Sequence, residues 1–113
     1  MGYAYLLMAG PLIADVLPDF LEEISWRLKQ QGADPLEAHV RSLRIEALCD
    51  CGDEHCASFA TAAEVKVAST VELESVEGQL IIDLDPSGAV CFIEVLGRPD
   101  IKYLLEEYYS PQE

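Results

Sequence analysis

Three cysteines and a histidine lie within eight consecutive residues, Cys49-Asp50-Cys51-Gly52-Asp53-Glu54-His55-Cys56. Thiolates and imidazoles are typical ligands of structural zinc sites, which take four of them in a tetrahedral arrangement. Cys49, Cys51, His55 and Cys56 supply suitable atoms in the right number. Because C-x-C spacing puts two thiols on one side of an extended strand, His55 and Cys56 must fold back across a turn to reach them. The segment is therefore a candidate zinc site at the tip of a hairpin.

Two alternatives to this four-ligand site stay open. Zinc could be shared with a ligand from elsewhere in the chain, either His39 or Cys91. Alternatively, Cys49 and Cys51 are small hydrophobic residues of the core, and His55 is exposed at the tip. A disulfide is disfavoured, because the expected location is the cytosol and cytosolic thiols stay reduced.

The sequence contains no convincing catalytic motif. Asp50, Asp53 and Glu54 surround the thiols and should raise their pKa, which suppresses the thiolate that a cysteine nucleophile needs. A C-x-x-C redox motif, a phosphate-binding glycine loop and a G-x-S-x-G elbow are missing. Asp83 and Asp85 lie two apart at a strand end, but Asp before Pro-Ser-Gly is typical of a turn. We therefore expect no enzyme activity.

The protein is strongly acidic. It has 21 Asp and Glu residues but only seven Lys and Arg, which gives a formal net charge of −14. Such a field repels phosphates, so a basic protein is a better partner than a nucleic acid or an anionic membrane. The sequence thus favours a small acidic binding protein, for example an immunity or antitoxin-type inhibitor of a basic, nuclease-like toxin. The predicted partner-binding residues form two acidic groups: Glu72, Glu74 and Glu77, and Asp50, Asp53 and Glu54.

Two other functions fit the same residues. One is a zinc-stabilised or metal-responsive accessory domain built on the hairpin from Cys49 to Cys56. The other is a small cytosolic protein without a catalytic role, whose acidity only maintains solubility. The apolar stretch from Tyr3 to Ile13 has no preceding Lys or Arg and is interrupted by Gly10-Pro11, which favours neither an export signal nor a membrane span. A cytoplasmic location is the expectation.

The 113 residues predict a single domain with one modest core. A helix is predicted from Pro18 to Gln31, with acidic residues in its first turn and Gly32 as its exit. Its apolar stripe recurs at helical spacing: Leu17, Leu21, Ile24 and Leu28. Pro99 opens a second, shorter helix, whose apolar residues are Ile101, Leu104, Leu105 and Tyr108. Tyr3 to Ala9 is either a short buried strand or an apolar lead-in.

Between the two helices the hydrophobic period changes to two, which is typical of strands. Alternation begins near Val40 and runs to Cys51, and a returning strand follows at 56–61. Further strands are predicted at about 71–74, 79–84 and 89–96, the last two joined by a turn at 85–88. The predicted fold is α+β, an antiparallel sheet of about four to six strands with one N-terminal helix and a short C-terminal helix. The predicted core includes Leu43, Ile45, Leu80, Ile82 and Ile93.

Part of this strand region resembles a bacterial family of small domains of unknown function. The resemblance rests on Glu72-Leu73, on the run Gly78-Gln79-Leu80-Ile81-Ile82-Asp83-Leu84-Asp85-Pro86-Ser87-Gly88-Ala89-Val90, and on Ile93-Glu94-Val95-Leu96. The family pattern is approximately G-x-I-x-[VI]-D-x-D-x-x-G-x-[IV]-x-G-I-E-[IV]-L, and the likeness covers about residues 56–96. Phe92 departs from it, because the family has a small residue there. The resemblance implies a β-meander and no established activity.

Overall fold

The computed structural model describes residues 10–75 and 77–109 as four helices and five strands. The helices are α1 (Ile13–Val16), α2 (Pro18–Gln30), α3 (Asp34–Val40) and α4 (Pro99–Tyr109). The strands are β1 (Ala47–Leu48), β2 (Phe59–Ala60), β3 (Ser69–Leu73), β4 (Gln79–Leu84) and β5 (Val90–Leu96). The predicted α+β class is confirmed, whereas the possible strand at Tyr3 to Ala9 lies outside the described residues. Within the described ranges, no helix is long and apolar enough to cross a membrane.

Helix α2 follows its sequence prediction closely. Pro18 stands at its start, where a missing backbone N–H costs nothing, and Arg27 and Lys29 lie in the last turn. The chain leaves the helix through Gly32, whose φ of +77° suits glycine. The predicted apolar stripe is fully buried: Leu17, Leu21, Ile24 and Leu28.

The five strands form one antiparallel sheet in the order β1-β2-β5-β4-β3. The hairpin of β4 and β5 is its centre, with Ile82 opposite Ile93. The predicted turn at 85–88 closes this hairpin, since the Gly88 N–H donates to the Asp85 carbonyl oxygen at 2.9 Å. Strand β3 lies at one edge of the sheet and β1 at the other.

Helices pack against one face of this sheet and bury the predicted core. The five core residues named from the sequence are all buried: Leu43, Ile45, Leu80, Ile82 and Ile93. Helix α4 adds Ile101 and Leu105 to the same cluster. Because side chains alternate along a strand, Ile81, Phe92 and Leu96 point to the opposite face, where they are half-buried.

The predicted strand from Val40 to Cys51 forms only in part, because β1 is two residues long. The residues before β1 pair with the segment around α1 instead. The Ile13 N–H donates to the Leu43 carbonyl oxygen at 3.0 Å, and the Ile45 N–H donates to the Pro11 carbonyl oxygen at 2.8 Å. The alternation identified Leu43 and Ile45 correctly as buried, but their backbone partner is the N-terminal segment. It is wrong further along, because Ala47 and Cys51, which it places on the inward face, are exposed.

The apolar stripe predicted for α4 is wrong at two of its four positions. Ile101 and Leu105 are buried, but Leu104 is 43% exposed and Tyr108 is 53% exposed. A pair spaced i and i+4 covers a narrow strip of helix surface, and that strip is the only part of α4 in the described core.

Arg98 connects the end of β5 to α2 and α4. Its guanidinium donates two hydrogen bonds to the Glu23 carboxylate, both 2.9 Å long, and two to Asp100, 3.1 and 3.0 Å long. The guanidinium carbon also lies 5.5 Å from the ring centre of Phe20. Hydrogen bonds to Glu23 and Asp100 raise the pKa of Arg98 above its ordinary value. This buried cation therefore stabilises the packing of α2 and α4 at the end of β5.

Candidate metal centre

The hairpin of β1 and β2 carries three cysteines at its end. The Cys49 N–H donates to the Ser58 carbonyl oxygen at 3.0 Å, which extends the β1–β2 pairing beyond the last residue of β1. The returning arm is fixed on the central hairpin, because the Ala57 N–H donates to the Val95 carbonyl oxygen at 2.8 Å. Both arms of the loop at 49–58 are thus anchored by backbone hydrogen bonds.

Asp53 organises the turn between these arms. Its Oδ1 accepts a hydrogen bond from the His55 N–H at 2.8 Å, and its carbonyl oxygen accepts one from the Cys56 N–H at 3.1 Å. An aspartate that bonds the backbone two residues on is a common turn device. Gly52, with a φ of +82°, supplies the left-handed residue that reverses the chain. The turn brings Cys56 back beside Cys49.

The sulfur atoms of Cys49, Cys51 and Cys56 all lie within 4.8 Å of one another. A tetrahedral Zn²⁺ ion with Zn–S bonds of about 2.3 Å holds its sulfurs roughly 3.8 Å apart, so a small contraction would place all three on one ion. All three are free thiols; Cys51 is exposed, and the other two are half-buried. The exposure of Cys51 contradicts the alternative in which it belongs to the core.

His55, the fourth predicted ligand, is not part of this group of sulfurs. Its side chain is 74% exposed, and its Nε2 lies 3.7 Å from Glu54 Oε2. The two alternative ligands are occupied elsewhere. The Cys91 thiol is buried 3.6 Å from the Asp83 carbonyl oxygen, and His39 Nε2 accepts a backbone hydrogen bond of 3.4 Å from the first residue of β5.

The three thiols perturb one another. A hydrogen bond from the Cys51 N–H lowers the pKa of Cys49, but burial and the neighbouring thiols of Cys51 and Cys56 outweigh it and raise the pKa to about 11. Burial raises the pKa of Cys56, but hydrogen bonds from Ser58 and from the other two cysteines lower it by more. Of Cys49 and Cys56, the Cys56 thiol therefore loses its proton more readily. The pKa of Cys49 is raised, as predicted, but by burial and the neighbouring thiols rather than by the acidic residues, and the predicted rise is wrong for Cys56.

A cleft of about 130 Å³ lies between this hairpin and α4. Cys49 and Cys56 line it from one side, and Lys102 and Glu106 line it from the helix. Lys102 Nζ donates to the Cys56 carbonyl oxygen at 3.1 Å and lies 3.9 Å from Glu106 Oε2. Charged groups of α4 therefore stand next to two of the three cysteines.

The predicted partner-binding carboxylates are all exposed: Glu72, Glu74, Glu77, Asp50, Asp53 and Glu54. Glu72 lies in the predicted strand, which is the edge strand β3, whereas Glu74 and Glu77 follow the end of β3 at Leu73. The Gln31 side chain ties this edge to the end of α2, because its amide donates to the Glu72 carbonyl oxygen at 3.3 Å and accepts from the Glu74 N–H at 3.4 Å. One acidic group therefore sits at a sheet edge and the other at the cysteine hairpin.

The sequence did not reveal that Asp83, which is buried, lies beside the half-buried Glu94. Asp83 lies opposite Phe92, and Ile81 lies opposite Glu94, so Asp83 and Glu94 are diagonal neighbours on the second face of the sheet. Asp83 is 2% exposed, and its Oδ1 has no hydrogen-bond partner among the described residues. Burial, followed by the hydrogen bond and charge of Glu94, raises the pKa of Asp83 to about 7. The sequence signal is the apolar residues on the same face of the sheet, Ile81 of β4 and Phe92 of β5, which indicate that this face is partly covered.

Asp83→Asn is expected to remove a pH dependence of stability. The folded protein keeps the Asp83 proton up to about pH 7, whereas an unfolded Asp loses it near pH 3.9, so wild-type stability should fall as pH rises between these values. The amide cannot ionise, so the variant should be more stable than wild type at pH 8 by about 1–3 kcal/mol and similar at pH 4. Urea denaturation at both pH values measures this.

Asp85→Asn provides the matched control two residues away. Hydrogen bonds from the Ser87 hydroxyl and the Ala89 N–H lower the pKa of Asp85, so its charged form is the stabilising one. That variant should therefore lose stability at neutral pH. If Asp83→Asn also loses stability at pH 8, the pKa of Asp83 is not raised in the folded protein as described.

Comparison with models of known protein families, with curated proteins and with solved structures finds no match for this chain.

Proposed function

We propose that this protein is a small metal-binding domain in which Cys49, Cys51 and Cys56 hold one Zn²⁺ ion, and that it has no catalytic turnover of its own. The supporting observation is the convergence of three free thiols within 4.8 Å. Thiolates favour Zn²⁺ over Mg²⁺ or Ca²⁺, which prefer oxygen ligands. We place the protein in the cytoplasm, where reducing conditions keep thiols available for metal.

Zinc binding would stabilise the fold at the β1–β2 hairpin. The loop at 49–58 joins two strands that are each two residues long, so it has little regular structure of its own. An ion held by both arms would restrict this loop, and metal binding to the folded state adds to the free energy of unfolding. The zinc-stabilised accessory domain is accordingly the function that the geometry supports best.

A chelator is expected to lower the thermal stability of the zinc-loaded protein. At a free zinc concentration 100 times the Kd, binding contributes about 2.7 kcal/mol, which corresponds to a Tm shift of roughly 10 °C for a domain of this size. Differential scanning fluorimetry with and without EDTA measures the shift. Cys56→Ser should abolish it, whereas Cys91→Ser should retain it because Cys91 is outside the cluster. An unchanged Tm in the wild type after chelation contradicts the proposal.

A second function is the binding of a basic protein. It is favoured by which acidic residues form ion pairs with the Lys and Arg side chains. Ion pairs involving Lys or Arg in the described ranges occupy Arg41, Arg98 and Lys102, and their acidic partners are all outside the two predicted acidic groups. The six exposed carboxylates are therefore left to set the surface potential. An immunity or antitoxin-type inhibitor of a basic toxin is the example that this charge distribution suits.

Removing either acidic group is expected to slow association with a basic partner captured from host cells at low salt. Surface charges act mainly on the encounter rate, so the change to Asn or Gln should lower kon and flatten its salt dependence. Surface plasmon resonance at two ionic strengths measures both. The control makes the same change in charge at three exposed aspartates of the helices, with Asp15, Asp19 and Asp34 replaced by Asn. Binding that is equally strong at low and high salt contradicts this function.

A further inference from the structure

We infer that Glu106 of helix α4 supplies the fourth ligand of the three-cysteine site. This inference rests on the proposed zinc site and names the group that completes it. A zinc ion held by three thiolates requires one more donor, and a carboxylate is an accepted zinc ligand. Bound in this way, the ion would join the β1–β2 hairpin to the C-terminal helix.

Glu106 lies close to the three-cysteine site. It lines the same cleft as Cys49 and Cys56, and it is the acidic residue of that lining. Lys102 Nζ lies 3.1 Å from the Cys56 carbonyl oxygen and 3.9 Å from Glu106 Oε2, which puts those two oxygens no more than 7.0 Å apart. Rotation about the three side-chain bonds of a glutamate moves its carboxylate by distances of this order.

The Glu106 side chain is also free to move toward the three cysteines. It is 66% exposed and its ion pair with Lys102 is long, at 3.9 Å, so little holds the carboxylate in its present position. His55 is a poorer candidate, although it is adjacent to Cys56. Its backbone is held on both sides, by Asp53 Oδ1 at its N–H and by the Gly97 N–H at its carbonyl oxygen, and it does not line the cleft that Cys49, Cys56 and Glu106 share.

Metal binding should therefore change the behaviour of α4 as well as that of the hairpin. The helix contributes only Ile101 and Leu105 to the described core, and its remaining side chains are half-buried or exposed. A coordinate bond at Glu106, one turn beyond Lys102, would hold the second half of the helix against the hairpin. The amides of residues 103–109 should then exchange with solvent more slowly when metal is bound.

The test compares Zn²⁺ and Co²⁺ binding by the full chain and its Glu106→Gln, Glu107→Gln and His55→Ala variants. Glu107 is the matched control, since it is the next residue and is exposed. We expect Glu106→Gln to weaken Zn²⁺ binding at least tenfold, to change the visible Co²⁺ spectrum and to remove the metal-dependent protection of α4. Glu107→Gln and His55→Ala should leave the affinity within about twofold.

Two results would overturn the inference while leaving the three-cysteine site intact. One is equal Zn²⁺ affinity in Glu106→Gln and Glu107→Gln, which would assign the fourth position to solvent. The other is a loss of affinity in His55→Ala alone, which would assign it to the imidazole. Failure of the wild-type chain to bind either metal is a different result, since it contradicts the proposed function itself.

Discussion

Replacing Leu80 with alanine is expected to lower the free energy of unfolding by about 2–5 kcal/mol. Leu80 is 0% exposed, and it lies in β4 between the inward residues Leu73 of β3 and Val95 of β5. Truncation removes buried methyl groups and leaves a cavity that three hydrogen-bonded strands cannot easily close. A small domain has a total stability of only about 5–15 kcal/mol, so this loss is large. Equilibrium denaturation in urea measures it.

Ile81→Ala is the matched control for Leu80→Ala. Ile81 is the next residue of the same strand, but it points to the second face, where it is only half-buried. Its truncation should cost clearly less than that of Leu80. Equal losses at the two positions would mean that the faces of β4 are assigned wrongly, since a shift of one residue exchanges them.

Arg98→Leu is expected to lower the free energy of unfolding by about 3 kcal/mol, near the lower end of the range for breaking a buried ion pair. The variant leaves the carboxylates of Glu23 and Asp100 without their shared cation. The Glu23 side chain is 26% exposed and that of Asp100 is 56% exposed, so water compensates Asp100 more than Glu23. The loss should therefore come mainly from Glu23, and urea denaturation of Arg98→Leu and of the double variant Arg98→Leu/Glu23→Leu measures it.

The double variant is the internal control, because it removes the charge that Arg98→Leu leaves behind. It should recover much of the lost stability. Arg44→Leu serves as an external control, since Arg44 is exposed and its guanidinium makes one hydrogen bond among the described residues, to the Gly10 carbonyl oxygen at 2.8 Å. A double variant as unstable as Arg98→Leu alone would assign the effect to lost packing on Phe20.

Elements whose burial is decided locally could be predicted from the sequence. The stripe of α2 and the alternation of β4 and β5 each match one regular period, and Pro18, Gly32 and the turn at 85–88 mark their ends. The strand before Cys49 was predicted less well. Its inward residues Leu43 and Ile45 were correct, but periodicity does not reveal which segment supplies the backbone partner, and the partner around α1 is about 30 residues distant.

The candidate site could be predicted only in part, because the sequence shows local residue types and spacing but not which distant segments lie beside them. The residue types between Cys49 and Cys56 indicated a metal site, and three of the four predicted ligands converge. The orientation of His55 depends on the Asp53 turn, which is local, and also on pairing with the chain after β5, which no local pattern encodes. Glu106 is 50 residues beyond Cys56, so only the packing of α4 beside the hairpin identifies it.

The zinc content of the purified protein shows whether Cys49, Cys51 and Cys56 form a metal site. The protein is purified under reducing conditions, incubated with a small excess of Zn²⁺ and freed of unbound metal by gel filtration. Elemental analysis should then give one zinc ion per chain in the wild type and in Cys91→Ser, and close to none in Cys49→Ser, Cys51→Ser and Cys56→Ser. A wild-type protein that retains no zinc, or a zinc content that does not change when these cysteines are replaced, would contradict the proposed three-cysteine site.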